Sequence, residues 1–345
     1  MIQVGLVGAG YWGPNIAKSF ELTGRAQIRW LCDLDAARLA RLGEKYISAR
    51  TTLELAEVLQ DGSVDAIAIS TPASTHFALA SRALEAGKHV LVEKPITETS
   101  GQAAQLIRLA RETGKILMVG HVFEYNATIH ALKELITSGE LGEVYYLNFE
   151  RTNLGPVRTD VNALLDLASH DISIMIHLLD ACPVEVTARG RAFLNPGVED
   201  AVFSTFTFAS GALAHVHASW LNPQKVRRIT VIGSRKMAIW NDLDLKAPIQ
   251  IFDKRIAEPA DIPDTFIGYK TVPVEGNTTI PKIPLNQPLL SECEHFLDCV
   301  ELGAEPRSGG ASGLRVVAAL EAAARSMANG SIVTPIELPS SYSKE

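Results

Sequence analysis

The chain has 345 residues, enough for two domains that each bury a core of their own. Apolar residues make up 47% of it and charged residues 21%, as in a globular protein, and no apolar run approaches the roughly 18 residues of a membrane span. A net charge of -7 without a long basic run gives no electrostatic footprint for nucleic acid, so a small molecule is the expected partner.

The N-terminus, MIQVGLVG, enters a strand at once, with no basic region or small-residue cleavage site ahead of it. A cytoplasmic address is expected. Cys32, Cys182, Cys293 and Cys299 form no C-x-x-C pair, which argues against a zinc knuckle and against a disulfide framework. No metal site is expected.

From residue 1 to about 120, short apolar runs (IQVGLVG, IRWLCDLD, DAIAIST, HVLVEK, KILMVG) alternate with helical patterns, the reading of a doubly wound parallel sheet. After Gly120 the texture changes. A helix over ATIHALKELITSG is followed by VYYLNFERTN, a second helix around LLDLASHDISIMIHLLD, and then strands without helices between them: VEVTARGRAF, VFSTFTF, LAHVHASWL, RITVIGS, KMAIWND and IQIFDK. These predict an α+β domain with an open, mostly antiparallel sheet. Residues 255 to 288 are rich in Pro, Thr and Asn and read as a long surface loop. Two helices, LLSECEHFLDCVELG and ASGLRVVAALEAAARSMANG, end the pattern.

Gly8, Gly10 and Gly13, with Tyr11 and Trp12 between them, lie directly after the first strand and open the first helix. A G-x-G-x-x-G loop in that place lets a pyrophosphate approach backbone N–H groups at a helix N-terminus. Asp33 ends the second strand, where a carboxylate accepts hydrogen bonds from the adenosine ribose and repels a 2′-phosphate, so NAD is the expected cofactor. Arg38 is the one nearby cation that speaks for NADP.

In HVLVEKP a parallel strand runs into Lys94 at the carboxyl edge, where such sheets bind ligands, and Pro95 fixes the backbone behind it. A lysine there can donate to a reacting hydroxyl or exchange a proton with it, although an isolated lysine at a strand end more often snorkels to solvent. With VGLVGAGYWG, the Ser70-Thr71-Pro72 turn, His76, and Glu93-Lys94-Pro95, the sequence resembles the Gfo/Idh/MocA oxidoreductases over nearly its whole length. The resemblance implies a Rossmann NAD-binding domain over residues 1–121 and a substrate-binding and oligomerisation domain over 122–345. It implies that Ser70, Thr71, His76 and Glu93 line the cofactor, that Lys94 is catalytic, and that the C-terminal sheet joins two or four copies.

On the helix LLDLASHDISIMIHLL, residues Asp166, His170, Ser173 and His177 fall on one stripe at 3.6 residues per turn, and this polar stripe on an apolar helix faces water or a site. The spacing of Asp166 and His170 matches the family pattern, which assigns them to catalysis; many relatives carry an acid where this chain has Ser173. The roles expected are His170 as the base, Lys94 as the group stabilising an alkoxide and Asp166 as the orienting group, with Lys94 and His170 able to exchange roles. His215 and His217 alternate on one strand face without an acidic or thiol partner nearby in sequence and read as sheet-face or subunit-interface residues. Arg151, Asn153, Arg158 and Asn162 precede the helix, and Lys225, Arg227 and Arg228 follow Trp220. Arginine forks suit diphosphates and carboxylates, and amides suit sugar hydroxyls, so the first four are candidate substrate ligands, with surface charge as the plain alternative. With RTNLG, DVNALLDLASHDIS, NPGVED and VRRITVIGSRKMA, the chain is similar to a branch that oxidises the 3-hydroxyl of UDP-N-acetylglucosamine or its uronic acid. A dehydrogenase of a free polyol and a non-catalytic dinucleotide sensor stand as alternatives.

Overall fold

The computed structural model describes residues 1–256, 273–340 and 342. The chain forms two compact units, the first from Met1–Tyr125, Asn286–Glu321 and Leu338–Glu345, the second from Asn126–Leu285 and Ala322–Glu337.

The first unit is built on six parallel strands: β1 (Ile2–Val7), β2 (Ala26–Cys32), β3 (Arg50–Thr52), β4 (Ala66–Ile69), β5 (His89–Glu93) and β6 (Leu117–Gly120), in the order β3-β2-β1-β4-β5-β6. Five helices connect them: α1 (Gly13–Leu22), α2 (Ala36–Gly43), α3 (Leu55–Gln60), α4 (Ala73–Glu85) and α5 (Ser100–Thr113). Both faces are covered, so inner strands such as β4, Ala-Ile-Ala-Ile, are buried at every position. The strand order reverses between β1 and β4, and at such a switch point the connections part and leave room for a ligand at the carboxyl edge.

A 3₁₀ turn, Val122–Tyr125, leaves β6. Two C-terminal helices complete this unit: α8 (Pro288–Leu302) and the first part of α9 (Gly310–Ala328). Phe296 of α8 packs edge-on against Phe20 of α1 with ring centroids 5.9 Å apart, and Cys293 and Leu297 join the same core. Leu314 and Val317 of α9 belong to the core on the opposite sheet face, with Val90, Ile107 and Val119. A division at residue 121 therefore differs from the compact units, because the apolar faces of α8 and of the first part of α9 are spent on the N-terminal sheet.

The second unit opens with α6 (Ala127–Thr137) and β7 (Val144–Leu154). A π-helical turn, Leu164–Ala168, runs into α7 (Ser169–Leu179). Then come β8 (Glu185–Arg191), β9 (Ala201–Thr207), β10 (Leu213–Ser219), β11 (Leu221–Gly233), β12 (Met237–Asn241), β13 (Ile249–Ile256), β14 (Pro273–Thr279) and β15 (Thr334–Pro335). The nine strands form one sheet in the order β14-β13-β12-β11-β7-β10-β9-β8-β15, antiparallel except for β7 beside β10. One sheet face is buried through Leu147, Phe149, Val216 and Val231. The other carries Tyr146, Phe203 and Leu213, each more than two-fifths exposed, with His217 stacked on Phe203 at 4.4 Å. Of the stretch expected to be a loop, 257–272 lies outside the described residues, while Pro273–Thr279 is an edge strand paired with β13.

Candidate active site

The glycine loop is shaped by close approach of backbone to backbone. Gly8 has φ +101°, and a Cβ there would lie 2.8 Å from the Ser70 carbonyl group; a Cβ on Gly13 would lie 2.0 Å from the Gly8 oxygen. Gly10 differs, since a Cβ there would meet only the Arg38 guanidinium, at 3.9 Å. Two glycines thus close the turn and the third leaves one side open, which is the cradle a pyrophosphate requires. Asp33 is tied into this loop: Oδ2 accepts the Ala9 N–H at 2.6 Å and Oδ1 the Asp35 N–H at 2.8 Å. Each oxygen keeps a lone pair for a ribose hydroxyl. Arg38 is engaged by Asp35 at 3.2 Å, and Tyr11 and Trp12 stand edge to face at 5.8 Å on the exposed outside of the loop.

The turn after β4 is bound to the same loop, with Ser70 Oγ donating to the Gly8 carbonyl at 2.8 Å. Thr71 and Thr75 hydroxyls share a hydrogen bond of 2.7 Å. His76 is placed differently from the expectation that it lines the cofactor. It is 1% exposed, with Nε2 2.9 Å from the Thr71 carbonyl and Nδ1 2.8 Å from the Pro95 carbonyl, and burial lowers its pKa. The ring is a brace between the turn after β4 and the turn after β5.

Lys94 follows the last residue of β5, and its peptide bond to Pro95 is cis. The Lys94 N–H donates to Glu93 Oε2 at 3.2 Å, and burial pushes the Glu93 carboxyl up to about 7, against the pull of Lys94. Glu93 pairs in register with Gly120, where a Cβ would stand 3.2 Å from the Glu93 carboxyl carbon, so a side chain at 120 would displace the acid. His121 follows the last residue of β6 as Lys94 follows that of β5. Its ring is 1% exposed with neither nitrogen hydrogen-bonded among the described residues, and burial, then Lys94, drives it down to about 3. Glu124 and Glu292 are buried in the same unit; Glu124 accepts from Ser312 Oγ at 3.2 Å, and Glu292 is raised well above the carboxylate range by burial, then by Glu93 and Glu124. Sequence reasoning missed His121, Glu124 and Glu292. The readable signal was Glu292, an acid on the same helical face as Phe296 in an apolar helix.

In the second unit the polar residues have distinct duties. Arg151, expected as a substrate fork, is 3% exposed and its Nε and Nη2 donate to Asp171 Oδ1 at 2.9 and 2.7 Å, which fastens α7 to β7. Asn162 caps the π-helical turn, accepting from Leu165 N at 3.1 Å, and donates to Glu199 at 2.7 Å. The Asn153 amide turns back to the Gly155 carbonyl. Arg158 alone of the four is half-exposed, shared between Asp160 at 2.5 Å and Asp166 at 3.3 Å. Arg227 and Arg228 pair with Asp242 and Glu150.

Asp166 and His170 are both partly exposed, but they do not lie on a continuous α-helix, because the wider π-helical turn holds Asp166 and α7 holds His170. Ser173, expected on the same stripe, is buried. His177 packs edge-on against His130 at 5.7 Å. The π-helical turn re-aims Asp166 so that its Oδ2 accepts the Trp220 indole N–H at 3.2 Å. No group of three or more His, Cys, Asp or Glu residues suited to a metal is found among the described residues.

A profile described as "Oxidoreductase family, NAD-binding Rossmann fold" matches residues 2–121, and one described as "GFO/IDH/MocA C-terminal domain" matches residues 129–239. The chain belongs to the GFO/IDH/MocA oxidoreductase family. Among relatives, UDP-N-acetylglucosamine 3-dehydrogenase of Acidithiobacillus ferrooxidans is 28% identical over 329 residues, covering 92% of this chain and 95% of that one. A solved structure under that name, from the same species, superposes with a TM-score of 0.79 at 27% identity, over 93% and 95% of the two chains. Inositol 2-dehydrogenase of Rhizobium meliloti is 27% identical over 339 residues, covering 95% and 97%. GenD2 from gentamicin A biosynthesis, solved with NAD, has a TM-score of 0.80 at 26% identity over 97% and 96%. As a GFO/IDH/MocA member the protein is an NAD-dependent oxidoreductase, and the open side at Gly10 together with the anchored Asp33 fits that cofactor. No helix among the described residues is long and apolar enough to cross a membrane.

Proposed function

We propose that the protein oxidises a secondary alcohol of a sugar with NAD, and that the alcohol is the 3-hydroxyl of UDP-N-acetylglucosamine or a related UDP-sugar. The observation that carries this reading is the nearly full-length likeness to UDP-N-acetylglucosamine 3-dehydrogenase, in a chain that has Lys94, Asp166 and His170. Bound NAD supplies the hydride acceptor. The residues that would hold it are the glycine loop, with Tyr11 and Trp12, then Asp33 and the turn at Ser70 and Thr71.

His170 takes the proton of the alcohol as its carbon gives up hydride, an imidazole being suited to that transfer near neutral pH. The ammonium of Lys94 stabilises the developing alkoxide, and Asp166 orients the imidazole or the alcohol. Lys94 can take the base role instead, with His170 donating a hydrogen bond. Arg158, the half-exposed member of the four, would meet an acidic part of the substrate by exchanging Asp160 for it. The products balance as a 3-keto sugar, NADH and one proton.

A second reading is oxidation of a free polyol, favoured by the equally long likeness to inositol 2-dehydrogenase. The experiment is to incubate the purified protein and NAD with UDP-N-acetylglucosamine, its uronate, myo-inositol and glucose, following absorbance of NADH and product mass. Turnover of the UDP-sugar together with binding of UDP alone supports the first reading. Turnover of inositol or glucose without UDP binding replaces it with the second, and no NADH from any of the four points to a dinucleotide sensor. Assembly of two or four copies through the nine-stranded sheet belongs to the same proposal, and a monomer by light scattering would remove it.

A further inference from the structure

Asp166 is held by a side chain that the sequence singled out for nothing. Trp220 occupies the corner between β10 and β11 and is 1% exposed. Its backbone is fixed on both sides: its N–H donates to the Asp200 carbonyl at 2.9 Å, and its carbonyl accepts from Gly155 N at 3.0 Å. Backbone from the end of β7 and from the start of β9 thus sets where the indole points, and it points at Asp166 Oδ2, 3.2 Å away. The other oxygen of Asp166 meets Arg158, a half-exposed side chain shared with Asp160. Set beside Arg158, the indole is the donor immobilised by burial.

We infer that Trp220 is a positioning residue, which holds the Asp166 carboxylate in the orientation from which it acts on the imidazole or the alcohol. The inference rests on the role proposed above for Asp166. A carboxylate on two free torsions samples several orientations, whereas a buried indole N–H left without an acceptor is disfavoured, so turning Asp166 away from Trp220 is opposed. The orientation is therefore fixed before substrate arrives, and a preorganised dipole needs no rearrangement during the reaction. Helical backbone cooperates: the π-helical turn carries Asp166 and is of the kind that recurs at functional sites. The plain alternative is that Asp166 merely satisfies the indole, with no consequence for turnover.

The test is a double-mutant cycle of Trp220→Phe and Asp166→Asn, which keeps ring bulk at 220 and the shape of the side chain at 166. Turnover is measured with whichever compound of the panel is oxidised. Trp220→Phe should lower kcat about tenfold with an unchanged KM for NAD, the scale of one lost hydrogen bond to a charged group. In the Asp166→Asn background the same change should add less than about twofold, because the carboxylate whose orientation the indole sets is already gone. The indole ¹H–¹⁵N resonance assigned by its loss in Trp220→Phe should move upfield in Asp166→Asn, a signature independent of activity. A folded Trp220→Phe enzyme with normal kcat, or an equal loss in both backgrounds, overturns the inference while leaving Asp166 in place. Normal turnover of Asp166→Asn overturns both. Should Trp220→Phe fail to fold, 3-benzothienylalanine at 220, with sulfur in place of N–H, makes the same measurement with the ring shape kept.

Discussion

The buried pair of Arg151 and Asp171 offers the sharpest test of how the second unit is held together. Their side chains are 4% and 3% exposed, and both guanidinium hydrogen bonds fall on Asp171 Oδ1. Oδ2 has no hydrogen-bond partner among the described residues, so Arg151 is the main compensation for a carboxylate out of water. Arg151→Met keeps the aliphatic stem and removes the cation, and breaking a buried pair in this way costs about 3–5 kcal/mol. The cost has a pH dependence whose sign follows from the charge. Burial already raises the Asp171 pKa above its ordinary 3.8 against the pull of Arg151. Without Arg151 the value climbs further, and the folded state holds a proton that the unfolded state releases. Stability of the variant then falls as pH rises through the raised value, so its deficit against the parent is largest at alkaline pH and shrinks on acidification. Adding Asp171→Leu should recover most of the loss, since an apolar pair of similar volume matches a buried ion pair. The assay is urea denaturation followed by circular dichroism at several pH values. A loss below about 1 kcal/mol, the scale of an exposed pair, or a deficit that grows toward acid, would refute the argument.

Lys94→Ala and His170→Ala should each lower turnover by about 10²–10⁴ while NAD still binds, the range for loss of an electrostatic or acid–base group; near-normal turnover removes that residue from the mechanism. Gly13→Ala should lower the melting temperature and abolish NAD binding, because its Cβ would stand 2.0 Å from the Gly8 oxygen. Gly10→Ala has open space, so the fold should persist while NAD affinity, by calorimetry, falls; normal affinity would show that the ligand does not approach there. Burial lifts Glu93 from 4.5 to about 7, which makes stability fall as pH rises across that window. Glu93→Gln should therefore gain melting temperature relative to the parent between about pH 5 and about pH 8, and a difference that does not vary with pH would contradict it.

The parallel sheet and the glycine loop were legible because their signals are local: β-branched runs of period suited to burial, and a turn whose glycines precede a helix. The three-residue β3 and the two-residue β15 were not, as strands that short have no period to read. The second gap is of another kind. The helix over LLSECEHFLDCV shows an apolar face in the sequence, but which core it enters is decided by Phe20, in the first helix of the chain, against which Phe296 packs. Arg151 shows the same limit for the site. A fork one strand away from an acid looks like a ligand for substrate until the pairing of β7 with α7 reveals that Asp171 consumes it, and nothing in the spacing of the two distinguishes those outcomes. Asp166 and His170 were found by spacing, yet the π-helical turn that sets Asp166 on Trp220 leaves no periodic trace, because one widened turn shifts the phase by less than a residue type can report.

The surroundings of Lys94 explain why a lysine at that strand end can serve as more than half of an ion pair. Three acids lie in the same unit, and if Glu93, Glu124 and Glu292 were all ionised their field would hold the ammonium as a spectator. Burial prevents that state. Glu292 is raised well above the carboxylate range by burial, then by Glu93 and Glu124, which disfavours its ionised form. His121 is driven down to about 3 by burial, then by Lys94, so it adds no competing positive charge beside the ammonium. Glu93 at about 7 is left as the acid whose charge varies near neutral pH. The role proposed for Lys94, stabilising an alkoxide, needs an ammonium whose field is not already cancelled. Glu93 and His121, the titrating groups that feel Lys94, therefore set how the field at the ammonium changes with pH, the first near neutrality and the second only in acid.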